Sequence, residues 1–251
     1  MSLVSKARHF AQRQIKGFDR RQTFANLIGA NLPDAAAHED GASTQTTEIL
    51  KRDGFAALPE IASRQQIDDI LAYISVHKVV NPYRPEIGQF DVKDRGNDSN
   101  IGAYTNEVLS QCPHLLEIAN RPILLNVISS FFGKYPTLSK IALWHSFPNN
   151  QTAQNAENYH RDVDDVLFLK VFVYLTDVDE GAGPHVYVKG SHKDRKFLDI
   201  RRYADAEIES SYPTESILKI TVNCPGKTAQ SRCVNGYHFT SPPIRQRRLH
   251  Q

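Results

Sequence analysis

A histidine and an aspartate separated by one residue, His160-Arg161-Asp162, are the pair of side chains in this sequence best suited to hold a metal ion. They precede a strongly apolar run, FLKVFVYL at 168–175, which predicts a β-strand. In extended backbone, side chains two residues apart lie on the same face, roughly 6–7 Å apart along the chain. His160 and Asp162 can therefore share one ion if a third ligand comes from elsewhere.

A candidate for the third ligand lies in Gly236-Tyr237-His238, where the glycine permits close backbone approach near the end of a strand. Two histidines and one carboxylate on one face of an octahedral ion form the facial triad of non-haem Fe(II) oxygenases, which leaves three positions open. A keto acid can take two of these positions and O₂ the third. The sequence thus predicts His160, Asp162 and His238 as iron ligands.

A basic cluster, Arg245, Arg247 and Arg248, follows the distal histidine. A guanidinium binds a carboxylate through two hydrogen bonds and stays charged when it is desolvated, so it suits the far carboxylate of 2-oxoglutarate. Strand alternation alone leaves open which arginine points inward. Lys170 lies in the middle of the apolar run, where an unpaired charge is costly. It either reaches solvent or meets an anion such as the keto acid.

Three segments resemble the phytanoyl-CoA dioxygenase family of Fe(II)/2-oxoglutarate-dependent oxygenases. They are KRDGFAALPEIAS at 51–63, YHRDVDDVLFLKVFVYLTDVDEGAGPHVYVKGSHK at 159–193 and GYHFTSPPIRQRRL at 236–249. The resemblance covers roughly residues 45–251. It implies a double-stranded β-helix, also called a jelly roll, and it favours Arg248 as the 2-oxoglutarate ligand. Arg245 and Lys170 are the other residues predicted to contact 2-oxoglutarate. The chain departs from the family in the segment RCVNGYH and in a short last strand.

The resemblance implies a dioxygenase that uses Fe(II), 2-oxoglutarate and O₂ to hydroxylate an aliphatic C–H bond. Halogenating relatives have a small residue in place of the carboxylate, so Asp162 predicts hydroxylation. Two other classes remain open: a zinc hydrolase with the same ligand set, and a non-catalytic binding protein on the same barrel. The arginine cluster argues against the zinc hydrolase.

The expected substrate is a small molecule, which the sequence does not identify. The long polar segment 80–112 is more typical of a functional loop than of a structural one. The side chains predicted to meet substrate are Arg84, Asn97, Tyr104 and Trp144. Three further histidines, His145, His185 and His192, are predicted to have structural or pocket-lining roles and not to bind the metal.

Composition excludes several classes of protein. The 251 residues are 40% hydrophobic and 23% charged, and the net charge of +2 is too small to indicate nucleic-acid binding. No apolar run reaches the ~20 residues that span a bilayer. The three cysteines, Cys112, Cys224 and Cys233, are widely spaced, which favours reduced thiols and a cytoplasmic location. The oligomeric state is left open.

The predicted fold class is α+β and mainly β, with a double-stranded β-helix core buttressed by N-terminal helices. Residues 1–42 are predicted to be a partly helical extension, either packed on the domain edge or docking an acidic partner, and 43–251 the oxygenase domain. Helices are predicted up to Arg52, after Ser63, over 113–132 and over 195–211. Strands are predicted at 55–58, 137–147, 157–163, 168–177, 185–188, 216–222, 228–234 and 244–250.

Overall fold

The fold combines α-helices with antiparallel β-sheets. The computed structural model describes residues 10, 12–35, 41–58, 60–94, 99–147, 157–179 and 184–221, and the backbone of 232–240. Within these residues, no helix has both the length and the apolar character needed to cross a membrane.

The helices are α1 Phe18–Ile28, α2 Gly41–Asp53, α3 Arg64–Ile74, α4 Asn106–Gln111, α5 Leu115–Ala119, α6 Pro122–Phe132 and α7 Asp205–Glu209. The strands are β1 Val79–Val80, β2 Gln89–Phe90, β3 Ile101–Ala103, β4 Thr137–Ser146, β5 Phe168–Tyr174, β6 His185–Val188, β7 Ile217–Ile220 and β8 Arg232–Thr240. In the described part of the chain the helices span more residues than the strands. The prediction of a mainly β chain is therefore wrong there, and the fold is mixed.

Helix α3 shows why the local predictions before the sheet succeed. The Ser63 hydroxyl accepts a hydrogen bond from the Gln66 amide, and the Gln66 side chain accepts one from the Ser63 amide, which is the predicted capping box. Ile70 and Ile74, four residues apart, lie on one helix face and are almost fully buried. They join a core to which α6 contributes Leu124 and Ile128.

Among the described residues, the main sheet has six strands in the order β2-β1-β3-β4-β8-β5, and every pairing between them is antiparallel. Strand β8 lies between β4 and β5 and pairs with both, so it joins the two longest predicted strands into one sheet. Strands β6 and β7 form a separate two-stranded sheet. The strand predicted at 228–234 is found at Arg232–Thr240, and the one predicted at 244–250 lies outside the described residues.

Three predicted elements are wrong, two because the segment forms no strand ladder with the described residues and one because its backbone leaves the helical conformation. Phe55–Leu58 forms no ladder pairing with any described strand, although the Phe55 ring stacks on Tyr187 of β6. Within the part of the chain that the structure describes, residues 157–163 pair only at the isolated bridge between Tyr159 and Tyr203. Within 195–211 only Asp205–Glu209 is helical, and the φ of 52° at Phe197 is incompatible with a continuous helix there.

The turn after α2 depends on a glycine that no other residue replaces easily. Gly54 has φ 78°, and a Cβ at this position would lie 2.4 Å from Nδ1 of His192. We expect Gly54→Ala to lower the free energy of unfolding by about 1–3 kcal/mol, since strain in the left-handed region adds to the clash. Urea unfolding measures the loss.

Gly133→Ala is the matched control for Gly54→Ala. Gly133, which follows α6, has a left-handed φ of 69°, but nothing lies within 4 Å of the added Cβ. We expect the control to lose less free energy of unfolding than Gly54→Ala. Equal losses in the two variants would contradict close packing of His192 on Gly54.

Candidate metal centre

His160 and Asp162 lie in an irregular segment between the Tyr159 bridge and β5, and their side chains converge. His160 Nε2 is 3.3 Å from Asp162 Oδ1. Two ligands about 2.1 Å from an octahedral ion, in adjacent positions, are about 3 Å apart. The observed distance therefore suits two neighbouring ligands of one ion.

The hydrogen bonding of His160 sets which ring nitrogen is available for a metal. Nδ1 lies 2.7 Å from the Asn158 carbonyl oxygen, to which it donates. Metal-binding histidines usually donate their second ring N–H in this way, which leaves the other nitrogen with a lone pair. A lone pair on Nε2 would repel the facing carboxylate oxygen, so a cation, either a proton or a metal ion, must lie between them. The donor set of His160 and Asp162 thus fits a divalent ion such as Fe(II).

The second oxygen of Asp162 is bound by Lys170, on β5. Lys170 Nζ is 2.7 Å from Asp162 Oδ2 and 2.7 Å from Asp164 Oδ2. Burial acts to raise the pKa of Asp162, but the His160 hydrogen bond and the Lys170 charge outweigh it and lower that pKa well below its usual range. Burial likewise acts to lower the pKa of Lys170, and the two carboxylates reverse this and raise it.

The register of the sheet places His238 next to Lys170, which contacts both Asp162 and Asp164. On β8, His238 is the partner of Lys170 on β5 and of Lys140 on β4. Among the described side chains, no three His, Cys, Asp or Glu residues form a group that could hold a metal. The His238 side chain and all of Arg245, Arg247 and Arg248 lie outside the described residues.

Two aromatic side chains near the candidate ligands, Phe172 and Tyr174, were not predicted from the sequence to belong to the site. Tyr174 Oη is 2.7 Å from Nδ1 of His185, whose ring centroid is 4.2 Å from that of Phe172. His185, predicted to be either a satisfied polar group or a pocket-lining residue, lines the same cavity as His160 and Lys170. Strand alternation could have identified Phe172 and Tyr174, because they lie two and four residues after Lys170 and so share its face of β5. Burial lowers the pKa of His185 to about 4 and raises that of Tyr174.

The four predicted substrate residues are scattered. Trp144 lines the cavity, with Tyr83 edge-on at 6.4 Å between ring centroids. Tyr104 is buried and bonds to His145, whereas Arg84 is exposed and pairs with Glu86. Asn97 lies outside the described residues.

Solved structures with a similar fold share little sequence with this chain. SnoN, a non-haem alpha-ketoglutarate-dependent epimerase from nogalamycin biosynthesis, matches with a TM-score of 0.51 and 15% identity, over 80% of this chain and 83% of that one. HygX from Streptomyces hygroscopicus, solved with nickel, 2-oxoglutarate and hygromycin B, matches with 0.51 and 13%, over 78% and 86%. AviO1 from Streptomyces viridochromogenes Tue57 matches with 0.50 and 14%, over 83% and 99%. At these identities the similarity shows the fold alone.

Comparison with curated protein sequences gave no significant match. The family model for phytanoyl-CoA dioxygenase, in contrast, matches residues 50–223, which is more than half of the chain. The matched segment contains His160, Asp162 and Lys170, and it ends before His238. The chain therefore belongs to the phytanoyl-CoA dioxygenase (PhyH) family of Fe(II)- and 2-oxoglutarate-dependent enzymes.

Proposed function

We propose that this protein is a dioxygenase that hydroxylates an aliphatic C–H bond of a small molecule while it decarboxylates 2-oxoglutarate to succinate. The observation that carries the proposal is the 3.3 Å approach of His160 Nε2 to Asp162 Oδ1, with the histidine tautomer set by Asn158. Family membership supports it, as does the fold shared with HygX, which was solved with nickel and 2-oxoglutarate.

His238 is the third metal ligand in this proposal. Its place opposite Lys170 supports the assignment, because the Lys170 ammonium contacts the carboxylate of Asp162 directly. Arg248 is proposed to bind the far carboxylate of 2-oxoglutarate, with Arg245 and Lys170 as further contacts. A guanidinium suits this task because it keeps its charge in a dry site.

When bound, the iron and 2-oxoglutarate together supply the redox chemistry that activates O₂. The chain contributes binding, orientation and charge. Lys170 forms an ion pair with Oδ2 of Asp162, which leaves Oδ1, on the side of His160, available to bind the ion. The carboxylate of Asp162 fills the metal position that a halide would need, which favours hydroxylation over halogenation.

We further propose that the two sheets belong to a double-stranded β-helix in which residues 43–251 form the oxygenase domain. The substrate would bind beside Tyr83 and Trp144, which both line the cavity with their rings edge-on to each other. Arg84, Asn97 and Tyr104 remain proposed contacts from segment 80–112, which was predicted to be a loop but contains strands β2 and β3 and helix α4.

An anaerobic titration tests the cofactor assignment. Addition of Fe(II) and 2-oxoglutarate to the metal-free protein should produce a weak visible charge-transfer band. Absence of the band, together with no O₂-dependent succinate formation, would overturn the proposal. A screen of small molecules for stimulated succinate release then identifies substrate candidates.

The reaction type needs a separate measurement, since SnoN is an epimerase. Hydroxylation consumes R–H, O₂ and 2-oxoglutarate and yields R–OH, succinate and CO₂. With ¹⁸O₂, we expect one labelled oxygen in the product and one in succinate. A product of unchanged mass would support epimerisation and contradict hydroxylation.

A further inference from the structure

The segment that carries the two candidate ligands is not held by a sheet. Between the Tyr159–Tyr203 bridge and the start of β5 at Phe168, the described backbone forms no strand pairing. Ladder hydrogen bonds therefore do not fix the positions of His160 and Asp162. Groups that orient metal ligands usually affect affinity strongly, so the contacts that hold this segment, 159–167, matter for function.

Arg161 provides the first set of such contacts. Its Nε donates to the Phe197 carbonyl at 2.8 Å, and its Nη2 lies 2.7 Å from the Ser191 carbonyl oxygen. The same Nη2 also approaches the carbonyl oxygens of Lys196 at 3.0 Å and Asp194 at 3.2 Å. A guanidinium presents its donors in one rigid plane, so these contacts fix both the position and the orientation of the residue between the two ligands.

Arg21 holds the other end of the segment. Its Nη1 donates to the Asp165 carbonyl at 2.5 Å, while Nε and Nη2 bind the carbonyls of Ile15 and Gln12. The Gln12 side chain adds a 2.8 Å hydrogen bond to Asp165 Oδ1. Arg21 and Gln12 precede the residues that match the family model, so this contact comes from the N-terminal extension.

We propose that Arg161 and Arg21 are positioning residues that clamp segment 159–167 and keep His160 and Asp162 at the separation one metal ion requires. The inference rests on the proposed function, because it takes these two side chains as ligands. It also gives the N-terminal extension a role in the metal centre. The clamp uses backbone carbonyls as acceptors, so it does not depend on any acidic side chain being ionised.

Metal affinity and segment mobility test the clamp together. Arg161→Met and Arg21→Met are compared with Arg20→Met, a matched control, since Arg20 is the exposed neighbour of Arg21 on the same helix. Mn(II) binding in the presence of 2-oxoglutarate is measured by calorimetry. We expect the dissociation constant to rise about 10–100-fold in Arg161→Met, to rise less in Arg21→Met, and to stay unchanged in the control.

Hydrogen exchange of the metal-free proteins supplies the second readout. Amides of 159–167 should exchange faster in both clamp variants than in the wild type or Arg20→Met. If Arg161→Met does not fold, Arg161→Lys replaces it, because a single ammonium keeps the charge but cannot reach all four carbonyls. Unchanged Mn(II) affinity in the clamp variants, with or without faster exchange, overturns the inference. A wild-type protein that binds no Mn(II) overturns the proposed function, and the clamp with it.

Discussion

Asp162→Asn is expected to abolish O₂-dependent succinate formation and to weaken Fe(II) binding at least about 100-fold, since removal of a direct ligand exceeds the 10–100-fold loss typical of supporting residues. The amide keeps the size of the side chain but removes the charge that a divalent ion requires. It also removes one of the two carboxylates that Lys170 contacts. Anaerobic titration of the variant with Fe(II) and 2-oxoglutarate measures the loss.

Asp164→Asn is a close control for this variant. Asp164 lies two residues further along, and its carboxylate is also 2.7 Å from Lys170 Nζ. If Asp162 served only as an ion-pair partner of Lys170, the two substitutions would weaken Fe(II) binding equally. We expect Asp164→Asn to keep the charge-transfer band and most of the metal affinity. Equal losses would remove Asp162 from the proposed ligand set.

His145 is expected to make the protein sensitive to mild acid. It lies on β4, only 5% exposed, with Nε2 2.8 Å from the Tyr104 hydroxyl and its ring stacked on Phe147. Burial lowers its pKa from 6.5 to about 4. Between pH 6.5 and 4, His145 is therefore protonated in the unfolded chain but neutral in the folded protein. Its contribution to the free energy of unfolding is fully present above pH 6.5 and decreases as the pH falls through this window.

The pKa difference of His145 gives the expected size of the effect. Between pH 7.5 and 5 this residue alone should lower the free energy of unfolding by about 2 kcal/mol, at 1.36 kcal/mol for each pKa unit. Urea unfolding of the wild type and His145→Gln at both pH values measures it. The glutamine cannot titrate, so the variant should lose less stability on acidification, whatever its stability at pH 7.5.

His114→Gln provides a control of opposite sign. Hydrogen bonds to Asp69 and Glu117 raise the pKa of His114, so its contribution to stability is fully present below pH 6.5 and is lost as the pH rises through the folded-state pKa. This variant should therefore lose more stability than the wild type on acidification. Parallel pH dependence in His145→Gln and the wild type would show that His145 is not the group responsible.

Much of the chain could be predicted because its signals are local. The capping box at Ser63, the helix that begins at Pro122 and the apolar runs of β4 and β5 each depend on residues close in sequence. The sequence also predicted that His160 and Asp162 share one side of the chain, and their side chains do converge, although the segment that carries them is irregular and not the predicted strand.

Tertiary structure decided what lies around those ligands. The two carboxylates on Lys170, the contact between Tyr174 and His185, and the carbonyls 30–36 residues away that hold Arg161 all join separate elements. Residues 157–163 carry a strand-like pattern, yet no strand in the described part of the chain pairs with them, and Arg161 and Arg21 contact the segment instead. Periodicity records which face of an element is buried, whereas the partner that a polar side chain meets depends on how distant elements pack.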